Sequence, residues 1–313
     1  MKKLLHLLIL PLLFLSACTH MEGMDAARKY TELVQEQDPS VALKELGNDL
    51  EADPELANTC HMMVHAIGNA AFDRYGFVEA MTYASDLCGS GYMHGATEKY
   101  IASQDDPEAV LQNVCPADYG ACFHGVGHGL MMFHNGDVAE ALKNCSEFSE
   151  KKEQVQCSEG VFMELFSSDT SVHKNKLLSP KDPMGLCANQ SDLYKSACYF
   201  YGPRYFLKVK PDAYSELMET CSVLKNGFDQ QCARGAGSAV MKTNLSRIPF
   251  VIQTCESAPA NLKNACFSGL TSYYVIHIGS LERAKNLCPQ LPPEHQKICE
   301  STVATSQDFF IED

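Results

Sequence analysis

Six of the eleven histidines fall between residues 61 and 134: His61, His65, His94, His124, His128 and His134. Two pairs are spaced four apart, in Cys60-His61-Met-Met-Val-His65 and Phe123-His124-Gly-Val-Gly-His128. On a helix that spacing puts both imidazoles on one face, about one turn apart, as helical metal sites require. A single pair of this kind is a weak signal. A shared register strengthens it. With His94-Gly95 set against His124-Gly125, the slot two residues after a recurring Cys reads His94, His124, Glu159, Phe200, Arg234, Ser268. The slot four residues further on reads Glu98, His128, Met163, Arg204, Ser238, Ser272, and a one-residue offset brings His61 and His65 into the same two slots.

Neighbouring helices lie roughly 8–10 Å apart, close enough for side chains in register to share an ion. The expected ligands are therefore His61, His65, His94, His124 and His128. Glu98 and Glu159 are the candidates for general acid/base work if the metal activates water. Arg204 and Arg234 could hold a carboxylate or phosphate of a substrate, or could lie along the surface and pair with the abundant acids. The competing reading of the histidines is a hydrogen-bonded seam or a solvated polar stripe. Imidazole with carboxylate suits zinc, iron, manganese or copper(II). Met62, Met63, Met93, Met131 and Met132 would favour copper(I) as thioether ligands, but methionine on a helix fills cores and they are read as core. G-x-S-x-G, H-E-x-x-H, Walker, Rossmann, C-x-x-C and C-x-x-C-H patterns are absent, which disfavours thioredoxin chemistry and covalent c-type haem.

The elements that must position these side chains are written in the cysteines. Cys187/Cys198, Cys221/Cys232, Cys255/Cys266 and Cys288/Cys299 are each 11 apart, Cys145/Cys157 are 12 apart and Cys115/Cys122 are 7 apart. The first members recur in steps of 30, 42, 34, 34 and 33 residues. A period near 34 points to a helical hairpin repeated along the chain. Asp106-Pro107, Pro211-Asp212 and Asn244 act as start signals for the stretches ending in the first Cys. The second Cys opens a longer apolar helix, as in Cys157–Phe166 and Cys266–Val275. The unit is thus a short helix A, a polar turn and a helix B, with a disulfide across the turn worth roughly 3 kcal/mol. Cys60 and Cys88 have no mate in their own hairpins. They form a bridge between adjacent repeats, the reading adopted, or act as thiolate ligands. Gly95, Gly125, Gly160, Gly235 and Gly269 recur three residues after the Cys slot, where they let helices approach closely.

This arrangement resembles the TPR and Sel1-like repeat proteins in architecture, without their residue-level consensus. It implies an all-α fold, a right-handed-type α-solenoid of about eight helical hairpins, each stapled by a disulfide.

The N-terminus carries a second resemblance. Lys2 and Lys3 precede an apolar run from Leu4 to Leu15 that is too short for a spanning helix. Leu15-Ser16-Ala17-Cys18 then resembles the lipobox of bacterial lipoproteins. The resemblance implies cleavage after residue 17, lipid on the Cys18 thiol, and, with Thr19 rather than Asp next, an outer-membrane location facing the periplasm or the surface. An oxidising compartment agrees with the fourteen cysteines left once Cys18 is lipidated. The formal charge is −14, and loss of residues 1–17 removes two lysines and no acid. That balance disfavours nucleic acid as a partner and a broad electrostatic grip on anionic lipid.

Three segments follow: 1–17 as signal peptide, 18–37 as lipidated tether and N-terminal helix, and 38–313 as the solenoid with its His-rich face in 60–134. The polar break from Ser167 to Pro183 is a lid or an insertion. The tail 307–313 caps the last repeat or frays. Two functions fit: a transition-metal-binding envelope lipoprotein working as a metal-dependent enzyme, or a non-catalytic scaffold holding an envelope protein partner along its groove.

Overall fold

The computed structural model describes residues 27–116, 119–167 and 176–306. The signal segment, Cys18, the 168–175 part of the break and the tail from 307 lie outside the described residues.

Among the described residues the chain is all helix, with no strand longer than one bridge. The first helix, α1, covers 27–36 and precedes α2 (Pro39–Ala52), α3 (Cys60–Tyr75) and α4 (Phe77–Ala80). Next come α5 (Leu87–Ala102), α6 (Glu108–Val114), α7 (Gly120–Phe133), α8 (Val138–Cys145) and α9 (Lys151–Ser167). The remainder are α10 (Asp192–Val209), α11 (Tyr214–Ser222), α12 (Phe228–Lys242), α13 (Ile248–Glu256), α14 (Lys263–His277), α15 (Leu281–Leu287) and α16 (Pro293–Ala304). The A elements are α2, α4, α6, α8, α11, α13 and α15, with a short 3-10 turn, Gly185–Asn189, before α10. Prolines at 180 and 183 leave no room for a full A helix there.

Local chemistry sets several boundaries. Asp38 caps α2 by accepting from Ser40 N at 2.8 Å and Val41 N at 3.1 Å, with Pro39 as the first helical residue. Asp137 caps α8 in the same way. Two start signals sit elsewhere than the sequence suggests. Asp212 takes a left-handed φ of 65° two residues ahead of α11. Asn244 donates from its side chain to Val240 O, closing α12 rather than opening α13.

The seven disulfides pair as the spacing predicts: Cys60–Cys88, Cys115–Cys122, Cys145–Cys157, Cys187–Cys198, Cys221–Cys232, Cys255–Cys266 and Cys288–Cys299. Their Cα separations run from 5.3 to 5.9 Å. Six bridges lie within their own hairpins, while Cys60–Cys88 links the first two repeats. All fourteen cysteines among the described residues are bridged, so none of them is a thiolate ligand.

One expectation about these cysteines is corrected. The second Cys of a pair does not open its helix. Cys122, Cys198 and Cys232 lie inside α7, α10 and α12, which begin earlier, at Gly120, Asp192 and Phe228. Cys157, Cys266 and Cys299 are likewise inside α9, α14 and α16. The reason is reach, because a disulfide needs Cα atoms within about 7 Å. At the turn the chain is still reversing, and the two helices come side by side only further along B. Placed there, Cys122, Cys198 and Cys232 are fully buried between the A and B elements.

The B helices pack side by side in chain order, α3 on α5, then α7, α9, α10, α12 and α14. The repeated glycines make this possible. A Cβ at Gly160 would overlap His124 O, one at Gly235 Phe200 O, and one at Gly269 Arg234 O. Each glycine therefore rests on the backbone of a slot residue of an adjacent helix. An open groove does not result. The row curves until its ends meet: α14 packs on α5, the His61 and His277 rings lie 5.6 Å apart, and Arg283 of α15 donates to Leu50 O and Glu51 O at 2.8 and 2.9 Å. The solenoid closes into a ring, and the B-helix slots line its lumen.

Candidate functional site

A cavity of about 370 Å3 occupies the lumen. Side chains from all seven ring helices line it, among them His61, His94, His124, Glu159, Arg204, Arg234 and His277.

The imidazoles form a continuous cluster. His94 stacks on His124 with ring centroids 4.6 Å apart, and His128 lies 5.0 Å from His124 and 5.8 Å from His94. One ring nitrogen from each of His94, His124 and His128 falls within 4.8 Å of the other two, the spread expected around a single ion. Nδ1 of His94 and Nε2 of His128 are buried without a hydrogen-bond partner. Orphaned polar atoms of this kind cost about 1–3 kcal/mol each, a penalty that a ligated ion removes. His124 Nε2 lies 3.3 Å from Met163 Sδ. The donor set thus fits a transition metal.

The surrounding contacts orient the trio. His128 Nδ1 meets Glu164 Oε2 at 3.0 Å, the carboxylate–imidazole pairing that fixes a ring's tautomer and leaves Nε2 as the remaining nitrogen. His94 and His124 line the cavity, whereas His128 is not part of its lining. Burial first, then neighbouring imidazoles, holds His94 and His124 well below the usual histidine range, so both rings are neutral and able to ligate.

His61 and His65 are placed differently from the trio. His65 Nε2 meets Glu98 Oε2 at 3.0 Å. Burial opposes its charge, but Glu98 outweighs burial and raises the pKa above 6.5. The Glu98 carboxylate is thereby engaged away from the cavity lining. His61 donates from Nδ1 to Cys88 O at 2.8 Å, which leaves Nε2 as the free nitrogen. That carbonyl is presented by a left-handed turn over Cys88, Gly89 and Ser90, with φ of 53°, 75° and 59°. Such a turn costs non-glycine residues of order 1 kcal/mol each. The Cys60–Cys88 bridge anchors it.

Glu159 lines the cavity, and burial pushes its carboxyl up to about 7 against the opposing Arg234. A carboxyl at that value is suited to exchange protons near neutrality. Arg204 and Arg234 also line the cavity. The Arg204 guanidinium lies 4.7 Å from the Tyr201 ring and donates to Ser167 Oγ, and Arg234 sits 5.3 Å from the Phe200 ring.

Several participants escaped the sequence reading. His277 enters because the ring closes, and burial first lowers it to about 3. Tyr201 lies between the halves, 6.2 Å from His124. Lys242 near His277 and Arg204 is lowered to about 7, chiefly by burial. Met163 and Glu164, one helical turn beyond Glu159, were legible only as slot neighbours. Of the methionines read as core, Met63, Met93 and Met131 are buried, whereas Met62 and Met132 are exposed. His134 is bound to Asn144 Oδ1 at 2.6 Å and serves packing. A second group, Glu256, Glu294 and His295, satisfies the same 4.8 Å criterion. There Glu256 pairs with Lys263 and His295 stacks on Phe267, away from the lumen.

Comparison with known proteins found no matching family model, no similar curated protein and no similar solved structure. Among the described residues, no helix is long and apolar enough to cross a membrane.

Proposed function

We propose that the chain is a lipid-anchored protein of the bacterial cell envelope whose lumen holds a transition metal and acts on a small molecule. The observation that carries this reading is the trio His94, His124 and His128, one ring nitrogen of each lying within 4.8 Å of the other two; Nδ1 of His94 and Nε2 of His128 also lack a hydrogen-bond partner. Three protein ligands, rather than the four of structural sites, is the count of catalytic metal sites. A metal bound there would supply Lewis-acid chemistry and an activated water. Glu159 exchanges the proton, and its carboxyl near 7 matches that role. Zinc, iron and copper(II) all suit the imidazole set.

The small volume of the lumen cavity, about 370 Å3, favours a small substrate over a protein partner, because ring closure removes the long groove a scaffold would use. The lipobox at Leu15–Cys18 supports the envelope location, and the seven disulfides agree with an oxidising compartment. The outer membrane is the expected site, since Thr19 follows the lipidated cysteine.

Metal content of natively matured protein without an affinity tag tests the site. About one equivalent of a transition metal is expected, falling below about a tenth in His94→Ala/His128→Ala, as loss of two of three ligands requires. A wild-type chain without stoichiometric metal after matured expression and zinc dialysis defeats the reading. Labelling with palmitate, lost in Cys18→Ala, tests the anchor separately.

A further inference from the structure

Across the lumen from the imidazoles the lining changes sign. Arg204 and Arg234 line it from α10 and α12, Lys242 lies close to Arg204, and Glu159 is the one carboxylate among the described lining residues. Among the described residues, no ion pair neutralises Arg204, Arg234 or Lys242. Arg204 keeps its Nε buried and unpartnered, although one terminal nitrogen donates to Ser167 Oγ at 3.1 Å. This concentration of cations occurs in a chain of net charge −14. An aromatic ring lies against each guanidinium, Tyr201 at 4.7 Å from Arg204 and Phe200 at 5.3 Å from Arg234.

Tyr201 also fixes how far this wall stands from the imidazoles. One of its contacts is the Arg204 guanidinium at 4.7 Å and another is the His124 ring at 6.2 Å. One phenol ring therefore separates the cations from the histidine trio. A molecule of a few carbon atoms can touch both ends at once.

We propose that Arg204 and Arg234 form an anion-recognition site that takes a carboxylate or phosphoryl group of the substrate and turns the rest of the molecule toward His94, His124 and His128. The planar fork of a guanidinium matches the paired oxygens of either group. Ser238 and Ser272, which line the same side, add hydroxyl donors. The substrate class is thus a small organic anion. That identification as substrate rests on the metal reading above; the anion site itself does not.

The test is calorimetric titration of the metal-free mature chain with two probes, inorganic phosphate and malonate. Stripping the metal prevents either probe from being held by the ion instead. At least one probe should bind with a Kd of about 1 mM or tighter, and the tighter of the two tells phosphoryl from carboxylate recognition. Arg204→Gln/Arg234→Gln should weaken it at least about tenfold, with zinc binding within about threefold of wild type. If thermal melting shows that the double variant does not fold, Arg234→Gln replaces it. Its exposed side chain carries little of the packing, and a loss of about fivefold is expected. The proposal is overturned if neither probe binds, or if the folded variant binds as tightly as wild type. Anion binding without zinc binding would defeat only the metal reading, and zinc binding without anion binding only this one.

Discussion

The two sides of the lumen are built from the same unit and carry different chemistry. On α3, α5 and α7 the slots hold imidazoles, with carboxylates on α5 and α9. On α10 and α12 the equivalent slots hold Phe200, Arg204, Arg234 and Ser238. Yet the scaffold contacts recur on both sides. Gly160 rests on His124 O just as Gly269 rests on Arg234 O, and a buried disulfide closes the hairpin behind each. The glycine and cysteine positions hold the ring, whereas the slot side chains point inward and are free to set the chemistry. Substitutions should therefore divide into those that damage the fold and those that damage only the site.

The largest effects belong to the scaffold. Gly160→Val and Gly269→Val each force a branched side chain into a neighbouring backbone, so a loss of about 3 kcal/mol or more is expected on either side. Urea unfolding measures it, and a loss below about 1 kcal/mol at both would sink the idea that these contacts hold the ring.

Disulfide removal should separate the two regions. The chain-entropy estimate is about 3.6 kcal/mol for the longer Cys60–Cys88 loop and about 2.8 kcal/mol for Cys288–Cys299. Cys60→Ser/Cys88→Ser should also weaken metal binding, because the Cys88–Ser90 turn that loses its anchor leads directly into the part of α5 that carries His94. Cys288→Ser/Cys299→Ser should leave metal affinity unchanged. Equal metal affinity in both variants would break the proposed link between that bridge and the histidine cluster.

Acid titration of the metal-free protein gives a smaller and two-signed effect. His94 and His124 have lowered folded pKa values, so they favour the fold above the unfolded value of 6.5 and this support is lost as pH falls below it. His65 is raised by Glu98, so its contribution is present below 6.5 and disappears as pH climbs through the raised folded value. Glu98→Gln should therefore lose more stability, relative to wild type, at pH 5.5 than at pH 8.5, by roughly 1 kcal/mol at most. A constant difference across that range would argue against the pair. Smallest of all, Met132→Ser on the exposed edge should change stability by less than about 0.5 kcal/mol, as melting would show.

Much of the ring was legible from spacing alone. The period near 34, the hairpin disulfides and the close-packing glycines follow from local rules, since each repeat solves the same burial problem. The His94, His124 and His128 trio was likewise visible in register. Helix starts were less so, because Cys198 and Cys232 mark where two helices touch and not where the second one begins. Closure was hidden altogether. It depends on curvature summed over the whole row, which no single repeat displays. His277 could not be placed in the site for that reason. The separation of His65 from the trio was also hidden, because Glu98 stood in the matching slot of the next repeat and either partner fits that spacing.

The clamp of Arg283 on Leu50 O and Glu51 O joins residues 233 and 232 positions apart in the chain. Its two donors satisfy carbonyls in the last turn of α2, at the helix C-terminus, where a cation is favoured by the helix dipole. An open row of repeats can gain or lose a unit and still stack. Here one unit more would drive the ends past each other, and one fewer would leave Arg283 short of α2. The number of hairpins is therefore fixed by circumference. Any duplication or deletion of a repeat must be read as a new protein with a different lumen.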